Sequence, residues 1–156
     1  MTIDRRSLIL GASSLASAGA YALSDSKTSD APAQRERVLG FGGFFFRSSD
    51  PKALAAWYRD HLGIDPMPTE QGQTIWQQAA GPTVFAPFPK DTKYFGSSAQ
   101  AWMVNFRVRN LDAMVAQLRA ANITVDVDGS KDPSGRFARL HDPEGNPIEL
   151  WEPAPK

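Results

Sequence analysis

Two stretches of the chain repeat one another sixty residues apart. Phe46-Arg47-Ser48-Ser49-Asp50-Pro51-Lys52-Ala53-Leu54, continuing to Arg59, is matched in step by Phe106-Arg107-Val108-Arg109-Asn110-Leu111-Asp112-Ala113-Met114, continuing to Arg119. A repeat of this period means two copies of one supersecondary unit, and a unit that small rarely buries its own apolar face. The copies must pack together, and a binding site is expected where they meet.

Each copy reads as a strand followed by a helix. Residues 41–47 and 102–108 are rich in aromatic and β-branched side chains. They run into Asp50-Pro51 and Asn110-Leu111, which supply a side-chain cap for the orphan helix N–H groups, with proline at the first helical position in the first copy. Leu54, Trp57, Tyr58 and Leu62 then recur at helical spacing, as do Met114, Val115, Leu118 and Ala121, so each helix has one apolar stripe to bury. Gly63 and Asn122 accept left-handed backbone angles and end the helices.

A sheet is expected downstream of each helix. In the first copy the strand candidates are 74–79 and 83–88, joined at Ala80-Gly81-Pro82. In the second they are 136–140 and 147–151, joined by His141-Asp142-Pro143-Glu144-Gly145-Asn146, where proline fixes φ and Gly and Asn accept positive φ. A third strand fits 123–127 in the second copy, whereas its counterpart at 64–68 is interrupted by proline.

At this point the chain resembles the vicinal-oxygen-chelate superfamily of glyoxalases, bleomycin resistance proteins and ring-cleaving dioxygenases. The likeness is carried by Arg47-Ser48-Ser49-Asp50-Pro51, Trp57-Tyr58-Arg59-Asp60-His61-Leu62-Gly63, Phe106-Arg107-Val108-Arg109-Asn110-Leu111-Asp112, Gly135-Arg136-Phe137 and Asp142-Pro143-Glu144-Gly145-Asn146-Pro147-Ile148-Glu149-Leu150-Trp151-Glu152. The resemblance implies an α+β fold of two paired βαβββ modules. Their mixed sheets would curl into a partly open cup, with helices outside and ligand within. The domain would occupy residues 38–156, its modules about 38–96 and 100–153.

Metal-using relatives hold a divalent ion on four inward positions, usually His, Gln or Glu. Carried over by cap and turn spacing, these fall on Gly43, Phe85, Met103 and Glu149. Only Glu149 offers a suitable donor, since a divalent ion needs several hard or borderline donors converging on it. The chain has two histidines and no cysteine with which to rebuild such a site. His61 reads as a helix-end cation. His141 opens a turn that already has a structural explanation, although Asp142 and Glu144 beside it could form a surface oxygen site. No cofactor is therefore expected, with a divalent metal as the alternative.

Alternation along the strands sorts the remaining side chains. If Gly43 and Met103 face inward, so do Phe45 and Arg47 from the first copy and Asn105 and Arg107 from the second, while Glu149 is flanked inward by Pro147 and Trp151, and Phe85 by Pro87. Apolar walls with a few polar groups suit a small organic ligand. Arg47 and Arg107, related by the repeat, could hold an anionic group at the rim, or could equally be strand-end residues in water. Glu149 is the one catalytic candidate, as a general base, against a structural reading in which it is hydrogen-bonded to Asn105 or an arginine. Tyr94, in the stretch between the copies, belongs either to a lid over the cup or to a plain linker.

The amino-terminal residues read separately. Arg5-Arg6, a weakly apolar run broken by Gly11, Ser13, Ser14, Ser17 and Gly19, and small residues around 18–22 resemble a twin-arginine export signal over residues 1–23. The run is too short and polar for a stable membrane span. Residues 24–37 form a polar linker. The expected location is the periplasm or cell envelope, and Lys plus Arg balance Asp plus Glu at 17 each, which provides no field for nucleic acid.

Three functions follow, in this order: an exported binder of a small organic molecule, a lyase or isomerase built around Glu149, and an interaction module in which aromatic strands such as Phe44-Phe45-Phe46 pack a homodimer.

Overall fold

The computed structural model describes residues 36–155, so the expected signal segment and most of the linker lie outside the described residues. From Gly43 onward the chain forms one compact unit of α+β type. Helices α1 (Pro51–Leu62) and α2 (Leu111–Ala120) accompany four strands: β1 (Val104–Arg107), β2 (Asp126–Val127), β3 (Gly135–His141) and β4 (Pro147–Pro153). The strands make an open mixed sheet in the order β1-β4-β3-β2, with β4 parallel to β1 and antiparallel to β3.

The helix signals act as their residues predict. Asp50 accepts the Ala53 N–H, Pro51 occupies the first turn, and Gly63 closes α1 at φ 67°. Asn110 accepts the Ala113 N–H at the equivalent place in α2, and Asn122 takes φ 61° just beyond its end. The caps therefore stand sixty residues apart, as the helices do. Glu152 adds a second acceptor at the start of α2, taking the Leu111 N–H at 2.7 Å.

Period-two alternation directs one face of the sheet to the helices. Val104, Ile148 and Leu140 share one rung of that face, and Phe106, Leu150 and Ala138 share the next. Leu54 and Tyr58 of α1 and Leu111, Val115 and Leu118 of α2 pack on it to form the core. Leu111, Leu118, Ile148 and Leu150 are fully enclosed. Each such side chain contributes about 2 kcal/mol by leaving water.

The first copy departs from expectation. Its helix forms, but 41–47, 74–79 and 83–88 join no ladder, and Ile75, Val84 and Phe85 lie exposed. Proline bears on the last of these: Pro87 lies within 83–88 and Pro82 and Pro89 flank it, each removing a backbone donor. In the second copy, by contrast, the prolines of β4 sit at its two ends. The third strand is also shorter than read, two residues instead of the whole of 123–127.

The β3–β4 turn ties α1 to the sheet. Glu144 Oε1 accepts from Ser48 Oγ at 2.8 Å and from the N–H groups of Ser49 and Asp50 at 2.9 and 3.1 Å. The Asp50 N–H foremost, with the Ser48 hydroxyl, holds the Glu144 carboxyl below the usual glutamate range. A carboxyl depressed on folding stabilises fully above its unfolded pKa, about 4.3 for glutamate, and loses that contribution as pH falls through the folded value. Glu144→Gln is expected to melt below wild type at pH 7, with the gap closing below about pH 4. Thermal melts across that range check this; a gap independent of pH would refute the ionic role of Glu144.

Candidate functional site

The sheet face opposite the helices carries two rows of polar and aromatic side chains. Register places Asn105, Glu149 and Arg139 side by side in one row and Arg107, Trp151 and Phe137 in the next. Glu149 lies on the central strand at 5% exposure, an unusual position for a carboxylate that lacks partners.

Its partners are present. Oε2 accepts from Asn105 Nδ2 at 2.8 Å. Oε1 accepts from the Tyr94 hydroxyl at 2.8 Å and from Arg139 Nη2 and Nε at 3.2 and 3.3 Å. These donors satisfy the desolvated charge, and truncating any of them leaves it under-compensated.

Tyr94 brings part of the inter-copy connection onto this face. The Arg139 guanidinium lies 4.1 Å from its ring centroid, and the Phe88 ring stacks nearly parallel at 5.0 Å and 19°. Desolvation foremost, then its bond to Glu149, raises the Tyr94 pKa, so the phenol stays a neutral donor. The stretch thus touches the sheet at Tyr94.

Other expected site residues are disposed differently. The Arg107 guanidinium donates to the carbonyls of Ala79 and Ala80 at 2.7 and 3.2 Å and packs on Gly81, where a Cβ would push its flexible end aside. It thus holds the 79–81 segment against the sheet edge. Trp151 lies parallel to Phe137 with centroids 6.3 Å apart, and its indole N–H donates to the Ser134 carbonyl at 2.9 Å. Met103 is half-buried just before β1, whereas Arg47 and Phe85 are exposed on the first copy. Arg139 and Phe137 were not anticipated. The alternation of β3 set beside Glu149 is the signal that finds them.

The donor set does not fit the ion that metal-using relatives hold. Gly43, Phe85 and Met103 offer no suitable ligand, and a guanidinium 3.2 Å from Glu149 already supplies the positive charge. Among the described residues no cluster of three or more His, Asp or Glu side chains could hold a cation. Asp142 and Glu144 are committed to the turn and to the start of α1. Two surface clefts of about 310 and 290 Å³ lie along α2 and beside α1, apart from Glu149. Tyr94 and Arg139 both bond the Oε1 of that carboxylate.

This arrangement of sheet, helices and inward carboxylate coincides with a family match over residues 43–151, to the glyoxalase-like domain. The chain belongs to the glyoxalase-like domain family. It is similar to a glyoxalase/bleomycin resistance protein from Streptomyces sp. CB03234 at 31% identity and a TM-score of 0.30, covering 34% of this chain and 46% of that one. It is also similar to TnmS3, an antibiotic binding protein from the same organism, at 22% identity and a TM-score of 0.44, covering 68% of this chain and 88% of that one. The first of these matches thus spans less than half of its counterpart. No curated protein sequence matches the chain. Among the described residues no helix is long and apolar enough to cross a membrane.

Proposed function

We propose that this protein is an exported binder of a small organic molecule, which it takes up on the helix-free face of the sheet without a divalent ion. The observation that carries the reading is Glu149. It is a buried carboxylate at the centre of that face, held by Asn105, Arg139 and Tyr94, with the stacked Tyr94 and Phe88 rings beside it, and among the described residues no group of three or more His, Asp or Glu could hold a metal ion. A few fixed polar groups among apolar rings give a ligand orientation and affinity. The paired-module cup belongs to the same proposal, with the extended 74–88 stretch as its second wall. Arg107 supports this by anchoring one point of that stretch to the sheet. Export rests on the Arg5-Arg6 segment.

Native mass spectrometry of the purified protein, paired with elemental analysis, tests the reading. A co-purifying or added small molecule is expected that raises the melting temperature, because a ligand bound only by the folded state stabilises it. No stoichiometric metal is expected after dialysis. One tightly held ion per chain overturns the metal-free part, and a search that yields no stabilising molecule overturns the binder.

One observation favours a second reading, a lyase or isomerase. The Tyr94 hydroxyl stands 2.8 Å from Glu149 and supplies the second acid–base group that such chemistry requires. Turnover abolished in Glu149→Gln with binding retained would select it.

A further inference from the structure

We infer, on the strength of the binding role just proposed, that Tyr94 occupies the ligand's own seat and that the ligand is a hydroxylated aromatic molecule which displaces it. The surroundings of Tyr94 read as a recognition site for a flat phenol. Its hydroxyl donates to a buried carboxylate oxygen at 2.8 Å, and Asn105 fixes the other oxygen of that carboxylate at 2.8 Å. Arg139 lies over its ring at 4.1 Å and Phe88 stacks on the ring at 5.0 Å. Guanidinium and ring contacts of this kind select π-systems. A carboxylate acceptor selects a neutral donor and disfavours an anion at the same point.

Tyr94 is also placed to leave. It lies outside every helix and strand, 38% exposed. Its backbone is held mostly by local turns, Tyr94 N–H to Thr92 Oγ1 at 3.2 Å and Gly96 N–H to the Lys93 carbonyl at 3.0 Å, with one longer bond to the sheet, from Arg139 Nη1 to the Tyr94 carbonyl at 3.4 Å, which a turn of the side chain alone leaves in place. Swinging the ring away breaks no ladder bond of the sheet. It does leave Glu149 and Arg139 without their aromatic partner, and a ligand phenol restores both contacts. A saturated alcohol would restore only the hydrogen bond, and a hydrocarbon ring only the stacking.

The test uses the full chain carrying Tyr94→Ala, titrated by calorimetry with p-cresol, toluene and cyclohexanol. The variant is expected to bind p-cresol about tenfold or more tighter than either of the others, the scale of one hydrogen bond to a charged group. Wild type should bind p-cresol more weakly than the variant, because its own ring competes for the seat. Equal affinity for p-cresol and toluene, or no binding by a variant that still melts cooperatively, overturns the inference. Wild-type NMR gives a second measurement independent of the variant's folding. p-Cresol must shift the Tyr94 and Arg139 signals, and their constancy at high p-cresol also overturns it. A saturated metabolite recovered by mass spectrometry would sink the hydroxyaromatic class and leave the binding function standing. p-Cresol seated in the variant, with no molecule that stabilises wild type, would do the reverse.

Discussion

Gly135→Ala is expected to lower the melting temperature by about 10 °C, at a cost of about 2–4 kcal/mol. Gly135 opens β3 at φ 139°, a conformation that side-chain-bearing residues rarely adopt. A Cβ there would run into the Glu152 carbonyl oxygen and stand 2.8 Å from Trp151 Nε1 and 2.9 Å from the Ala154 N. The crowding is largely with paired backbone, which cannot rotate aside as a flexible side chain can. Gly129→Ala is the control, since a Cβ at Gly129 meets nothing within 4 Å. Calorimetric melts of the two variants check the pair. Equal, small losses in both would show that the close approach at Gly135 is relieved at little cost.

The second large effect is expected at Asp142, a carboxylate at 4% exposure. Oδ2 accepts from the Tyr58 hydroxyl at 3.0 Å and from Asn146 Nδ2 at 2.8 Å, while Oδ1 takes the N–H groups of Glu144 and Asn146, both at 2.9 Å. One side chain thus shapes the β3–β4 turn and meets the only phenol of α1. Asp142→Ala strands the Tyr58 hydroxyl in the core and frees the turn that carries Glu144. The expected loss is about 3 kcal/mol. Tyr58→Phe removes one partner of that network and should cost about 1 kcal/mol. Chemical denaturation of both variants reads the difference, and a Tyr58→Phe loss equal to that of Asp142→Ala would show that the turn bonds add nothing.

The helices were the most legible part of the sequence, because caps and apolar spacing are local signals. Asp50, Gly63, Asn110 and Asn122 do in the fold what their side chains and φ preferences require. The sheet face was legible where alternation could be anchored at one residue, so Asn105, Arg107, Glu149 and Trp151 share it. Two kinds of fact were not. Strand pairing in the first copy depends on partners distant in sequence, and a stretch with β-rich composition at 83–88 says nothing of whether a ladder awaits it. Arg107 was open to two readings, a rim clamp with Arg47 or a strand-end residue in water, but a guanidinium five donors wide takes whatever carbonyls the chain brings, here those of residues 79 and 80. Tyr94 shows the same limit: no local pattern reports that a tyrosine 55 positions away will find Glu149.

The strand order has a consequence for biogenesis. β4 is translated after the other three, yet it lies between β1 and β3. Until residues 147–153 emerge from the ribosome, the earlier strand and the later hairpin share no ladder and remain separate pieces. A chain shortened before residue 147 should therefore lose both ladders of β4 at once and keep at most the short β2–β3 pairing, because what is missing is the middle of the sheet. The nascent chain must also keep its apolar helix stripes shielded until nearly all of this domain has been made.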